Sequence, residues 1–219
     1  MTDLPDWWPY DKQYEIMDCL EGMKQLPNKC VDLVLTDPPY GVGVDYGDTY
    51  DDTEDNLKEF IPKFMEQVLR VGKRAMITPG YNNIYKYPEP KHIIIWYNSA
   101  GSSLCSWGFS CWQPILCYGK DPYLQNRLGG RKDVIENIEV SDKVGHPCPK
   151  PLRLWEQIIK RGSVKDTDII LDPFMGSGTT LLAGRKTNRL VLGFELNPDY
   201  ETVIQKRMME EIPEIEKWF

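Results

Sequence analysis

Apolar positions along the chain follow two periods. Short, nearly unbroken runs recur (VDLVLT, HIIIWY, DIIL, LVLGF), and stretches with helical spacing lie between them. A strand with one wet face alternates apolar and polar residues, whereas a strand covered on both faces is apolar throughout. The runs therefore predict strands at 14–17, 31–36, 74–78, 92–97, 114–118, 168–171 and 190–194. Helical periodicity predicts helices at 53–69, 151–161, 179–186 and 198–211. Strands alternating with helices of this length specify a doubly wound α/β fold with a mostly parallel sheet.

Two stretches carry neither period. Residues 41–55, rich in Gly and Asp, are expected to form a mobile loop. Residues 119–145 contain turn signals at Asp121–Pro122 and Gly129–Gly130, and a compact basic cluster of Arg127, Arg131 and Lys132. Trp107 and Trp112, flanking GFSC, are read as core packing, and Asn197 as the cap of the last helix with Pro198 at its first position.

Composition narrows the picture. A chain of 219 residues suits one domain, and 41% hydrophobic with 27% charged residues suits a soluble globular protein. No apolar run approaches the roughly 20 residues that span a bilayer. The start MTDLPDWWPYDK lacks the basic and apolar parts of a signal peptide, so the cytoplasm is the expected location. Six cysteines without a CxxC pair, beside two histidines, lack zinc spacing; no metal is expected, and the cysteines read as reduced, packed thiols. The net charge of −7 is awkward for gripping nucleic acid, because phosphate neutralisation supplies most non-specific affinity. A nucleic-acid role would need a local basic patch, a second subunit or weak binding.

Two segments carry chemistry. The strand at 168–171 runs into DPFMGSGTT (172–180) and then a helix, a glycine turn suited to close approach of a ligand to backbone. It is no P-loop, since no GK[ST] follows, and it lacks the third glycine of a dinucleotide fingerprint. Glu195 ends the next strand, 19 residues after Gly176, where an acid would hold a ribose diol. Asp172, just before the glycines, would repel a pyrophosphate and attract a sulfonium, which favours S-adenosylmethionine over NAD.

The second segment is TDPPYG (36–41). Asp37 stands at the end of its strand, on the rim where α/β sheets bind ligands. Pro38 and Pro39 stiffen the backbone, which can aim the Pro38 carbonyl. That carbonyl and the Asp37 carboxylate are two acceptors, matching the two hydrogens of an exocyclic amine. Asp37 would also stabilise positive charge developing on the nitrogen. Tyr40 would offer a flat face to a base taken from its stack.

These segments resemble the DNA amino-methyltransferases, the adenine-N6 and cytosine-N4 family. TDPPYG is similar to the catalytic motif, DPFMGSGTT to the cofactor motif, FELNPDY to the acidic motif after it, and HPCPKP (146–151) to the element before it. The catalytic motif comes first here, the order of the family's β group. The resemblance implies a Rossmann-like methyltransferase fold with a seven-stranded, circularly permuted sheet and one antiparallel hairpin. It implies a single domain over 1–219 with 119–145 as a short target-recognition segment, S-adenosylmethionine as cofactor, DNA as partner and a homodimer.

Residue by residue, Asp37, Pro38, Pro39 and Tyr40 would form the amine site. Asp172, Phe174, Gly176, Ser177, Gly178 and Thr179 would line the methionine end of the cofactor. Glu195 would hold its ribose, and Asp18, in IMDCLEGM, would lie near its adenine. His146 and Lys150 would approach its methionine carboxylate. Arg127, Arg131 and Lys132 are the candidates for phosphate contact, and the short recognition segment suggests relaxed specificity or a single-stranded target. Asp at the head of the motif favours adenine N6. Cytosine N4, an RNA substrate and a non-catalytic binding subunit of the same fold stay open.

Overall fold

Leu33 and Leu35 of the DPPY strand enter one core, and Val34 between them enters another. Ile170 and Leu171 divide in the same way, as do Val191 and Leu192. The unbroken apolar runs thus arise from a two-residue period with both faces buried.

The computed structural model describes residues 4–101, 103–138 and 150–210. Its first half runs β1 (Tyr14–Ile16), α1 (Cys19–Lys24), β2 (Leu33–Thr36), α2 (Glu54–Val71), β3 (Ala75–Ile77), β4 (His92–Tyr97), β5 (Ser103–Cys105) and β6 (Gly108–Ser110). The second runs β7 (Trp112–Tyr118), α3 (Pro122–Gln125), β8 (Val134–Glu136), α4 (Leu152–Gly162), β9 (Ile169–Asp172), α5 (Thr179–Lys186), β10 (Leu190–Glu195) and α6 (Tyr200–Glu210).

The sheet order is β1-β10-β9-β2-β3-β7-β4-β8, with β5 and β6 forming a separate hairpin. Among the described strands of the large sheet, β7 alone runs against its neighbours. Among the described residues the sheet therefore has eight strands, not seven. The additional strand, β8, comes from the 119–145 segment and pairs in parallel with β4. Part of the stretch expected to read DNA is thus built into the sheet.

Helices α1 and α2 cover one face, with Leu57, Ile61, Phe64, Met65, Val68 and Val71 forming the apolar stripe of α2. Helices α4, α5 and α6 cover the other. From β9 the chain passes to α5 on one face, and from the adjacent β2 to α2 on the opposite face. The carboxyl ends of β2 and β9 therefore open a crevice between them, the topological switch point of an α/β sheet.

The loop at 41–55 is tied down rather than loose. The Asp52 carboxylate, 2% exposed, accepts from the backbone of Gly41 at 2.6 Å, Val42 at 3.1 Å and Val44 at 3.0 Å. Cys19, Cys30, Cys111 and Cys117 are free thiols. Among the described residues, no helix is long and apolar enough to cross a membrane.

Candidate functional site

Asp37 is the first residue past β2, and its carboxylate is fully engaged. Tyr40 Oη donates to Oδ1 at 2.6 Å, and Thr78, just past β3, donates to the same oxygen. Lys150 forms an ion pair with Oδ2, and both side chains are mostly shielded, at 12% and 19% exposure. The Lys150 ammonium also lies 3.3 Å from Tyr40 Oη and 5.2 Å from its ring centre. Burial, and then the Asp37 charge, push the Tyr40 phenol well above its ordinary range, so it stays a donor.

The Tyr40 ring rests on Gly80, where an added Cβ would stand 3.1 Å from it. Asn83 holds the Tyr40 carbonyl at 2.8 Å. Pro39 lines the cleft described below, while Pro38 is buried and neither it nor Tyr40 is on the cleft wall. Through its hydroxyl, Tyr40 holds the Asp37 carboxylate in place.

Asp172 ends β9 and is 2% exposed. Its Oδ1 accepts from Thr36 Oγ1 at 2.7 Å and from Phe174 N at 3.0 Å, and its Oδ2 accepts from Thr180 Oγ1. Trp155 Nε1 donates to Thr180 Oγ1 at 2.8 Å. Thr36 belongs to one motif and Thr180 to the other, so Asp172 bonds the two motifs together. Burial raises its carboxyl to about 7, against the pull of these hydrogen bonds. It is therefore a weaker anion near neutral pH than its position in the sequence suggests.

The turn beyond has left-handed φ at Gly176 (52°) and Gly178 (78°), where a side chain would be strained. Gly178 leads into α5. Glu195, at the end of β10, accepts from Gly176 N at 2.6 Å and Asn197 N at 2.8 Å. Burial raises its carboxyl too, opposed by those amides. Arg207 of α6 braces the turn from behind, donating to Ser177 O and Oγ, both at 2.8 Å, and to Thr179 Oγ1 at 3.1 Å. Phe174 packs edge-on against Phe60, with centroids 5.8 Å apart. Asp18 caps α1 through Oδ1, accepting from Leu20 N at 2.9 Å and Glu21 N at 3.1 Å.

The segments that follow β1, β2, β9 and β10 border one open cleft, with ≈ 1060 Å³ of empty space including its mouth. Asp37, Pro39 and Lys150 line it together with Asp172, Phe174, Gly176, Ser177, Thr179 and Glu195, and so does Asp18. The residues present suit a cofactor with a cationic sulfur and a ribose: carboxylates, an aromatic ring and glycine backbone, without a cluster of basic side chains.

Other expected site residues fall elsewhere. Lys150 is at the cleft but pairs with Asp37 rather than standing apart as a partner for a cofactor carboxylate. His146 lies outside the described residues, as do Met1 and Phe219. Arg127, Arg131 and Lys132 precede β8, which runs parallel to β2. They therefore sit on the opposite rim of the sheet, away from the cleft. Trp107 is 98% exposed and Trp112 is 39% exposed, so neither is core.

Thr36, Thr78, Thr180, Trp155 and Arg207 carry the hydrogen bonding of the site without having been singled out in the sequence. Thr36 and Thr180 stand inside the two motifs and were open to that reading. Thr78 and Arg207 carry no sequence signal.

The protein is similar to the type II methyltransferase M.HpaI of Haemophilus parainfluenzae, 27% identical over 92% of this chain and 75% of that one. Its fold resembles that of PvuII DNA methyltransferase (cytosine-N4-specific), with TM-score 0.66 and 19% identity over 93% of this chain and 88% of that one. It also resembles that of the M1.HpyAVI–SAM complex, with TM-score 0.62 and 24% identity over 89% and 98%. The model of the DNA methylase family (N6 and N4 methyltransferases) matches residues 95–206, just over half of the sequence, and the chain belongs to that family.

Proposed function

We propose that the protein transfers a methyl group from S-adenosylmethionine to the exocyclic 6-amino group of an adenine in DNA. The observation that carries this reading is the shared cleft: Asp37 and Gly176 of the glycine turn, 139 positions apart in sequence, face the same space. S-adenosylmethionine, when bound, supplies the electrophilic methyl group. Gly176, Phe174 and Glu195 would hold it, with Asp18 near its adenine.

Asp37 is placed to accept hydrogens of the target amine and to stabilise the positive charge on nitrogen as the new bond forms. Thr78 and Tyr40 fix its carboxylate through Oδ1. Oδ2 is the oxygen that can be turned to the substrate, once Lys150 gives it up. Lys150 then remains beside the cleft as a cation. Asp at the head of the motif supports adenine over cytosine.

The duplex side of the reaction is supported by the β5–β6 hairpin. It joins the end of β4 to the start of β7, so it stands on the cleft rim, and it carries Trp107 and Phe109 at 98% and 77% exposure. Solvent-exposed rings at this position can stack on bases around an extruded nucleotide.

The test is transfer from methyl-labelled cofactor to a panel of single- and double-stranded DNA and RNA, followed by digestion to nucleosides and mass spectrometry. N6-methyladenosine in its deoxy form is the expected product. Label found only on cytosine, or only in RNA, overturns the adenine-in-DNA reading.

A further inference from the structure

On the rim opposite the cleft, a second hollow opens where β3 and β4 begin and β7 ends. It is open to solvent, with ≈ 950 Å³ of empty space including that at its mouth. Arg74, Lys91, Lys120, Arg131 and Arg161 line it, and Asp121 is the one carboxylate on its wall among the described residues. In a chain of net charge −7, this gathers positive potential in one concave place, where low-dielectric walls strengthen it.

Asp121 answers only part of that charge. Its Oδ2 accepts from Arg161 Nη2 at 2.6 Å, while its Oδ1 caps α3 by accepting from Tyr123 N at 2.8 Å and Leu124 N at 3.1 Å. Arg161 keeps a further donor unused: its side chain is 14% exposed, and its buried Nε has no hydrogen-bond partner. Native structures rarely leave such a group unanswered unless a ligand or water takes it. Arg74 makes only long contacts, to Gly162 O at 3.3 Å and Gln125 Oε1 at 3.4 Å. The Arg131 guanidinium lies 4.3 Å from the Tyr123 ring centre, which fixes its direction at the mouth. Met76 and Ile94 give the hollow an apolar floor.

We propose that this hollow is a binding site for a phosphate-bearing anion. Several guanidinium and ammonium groups around one space match a compact, multiply charged tetrahedral group better than a single carboxylate. The apolar floor leaves room for the body that carries the phosphate. Two sources share this chemistry, a free nucleotide and the 5′-phosphate end of a nucleic acid strand. Arg131, a candidate for phosphate contact from the sequence, takes that role here, away from the methylation cleft; Arg127 and Lys132 do not line the hollow.

The test is calorimetric titration of the full chain at low salt, with S-adenosylhomocysteine present in excess to fill the cleft. The probes are inorganic phosphate, cytidine 5′-monophosphate, cytidine, and one single-stranded oligonucleotide with and without a 5′ phosphate. Lys91→Ala/Lys120→Ala removes two exposed cations and leaves the Arg161–Asp121 pair intact. Saturable binding of one equivalent of a phosphate-bearing probe is expected, none of cytidine, and affinity about tenfold or more weaker in the double variant. Binding of the monophosphate alone identifies a free nucleotide as the source. Preference for the 5′-phosphorylated oligonucleotide identifies a strand end. No saturable binding of any phosphate probe, or equal affinity in wild type and double variant, overturns the proposal. Since the readout is binding, its failure leaves the methyl-transfer reading standing.

Discussion

Asp37 has three partners in the free protein, and only one of them is a charge. The Lys150 ion pair is largely shielded, and on the proposed reading it is exchanged for the target amine. Asp37→Ala is expected to lower kcat by about 10²–10³-fold, the loss typical of one preorganised electrostatic group. Cofactor affinity, measured by equilibrium dialysis, should change little; parallel loss of both would make Asp37 structural. Asp172 gives a second prediction at this scale. Its folded value of about 7 lies above the ordinary value near 4. Between the two, the folded chain keeps a proton that the unfolded chain has released, so stability falls as pH rises across that window and levels off above it. Glu195, also raised by burial, acts in the same direction. Urea midpoints from pH 4.5 to 8 should show the fall, and Asp172→Asn should flatten most of it. A variant with the wild-type slope would assign the titration to another group.

At the scale of elements, the site depends on how closely β10 lies against the turn that leaves β9. Gly193 of β10 pairs with Asp172 of β9. A Cβ there would stand 2.5 Å from the Asp172 carbonyl oxygen, a backbone atom, and would collide with the Met175 methyl. The side chain can move aside, but the backbone oxygen cannot without shifting the turn. Gly193→Ala should therefore cost about 1–3 kcal/mol of stability, the usual range for overpacking, and weaken cofactor binding as well. Denaturant titration and dialysis check the two effects, and an unchanged midpoint would refute the packing account. The major strands and helices were legible because two buried faces leave unbroken apolar runs and α2 repeats its stripe over 18 residues. The short elements β5, β6, β8, α1 and α3 lie outside the unbroken apolar runs and are too brief for a helical stripe, so no pattern marked them. Within the site, Asp37, Asp172, Gly176 and Glu195 were legible as strand-end acids and turn glycines. The Lys150–Asp37 pair was not, since it joins positions 113 apart and no local pattern encodes it. Trp107 was misread as core because aromatic content reports burial on average, while a hairpin projecting from a rim keeps its tip in water.

For the whole molecule, parallel strands sort the chemistry by rim. Asp18, Asp37, Thr78, the glycine turn and Glu195 all follow strand ends and meet at one edge, while the cationic hollow lies at the other. A polyanion approaching the cleft rim of a chain with net charge −7 thus gains little from long-range attraction, and the cations of the hollow face away. The rim offers instead the β5–β6 hairpin. From Asn98 to Gln113 the sequence contains no charged residue, so nothing there repels phosphate, and Trp107 and Phe109 stand in water. Base stacking on an aromatic ring contributes about 1–3 kcal/mol and needs no counter-charge, so contact through these rings should be weakly salt-dependent. Trp107→Ala/Phe109→Ala should leave the melting midpoint nearly unchanged, because both rings are exposed. Cofactor binding should also hold, while KM for DNA rises about tenfold or more for the loss of the two rings. Steady-state methyl transfer at two salt concentrations, beside thermal melts, separates the possibilities. Unchanged KM in the double variant, or a KM that climbs steeply with salt in wild type, would show that DNA is held by charges elsewhere and not by the hairpin.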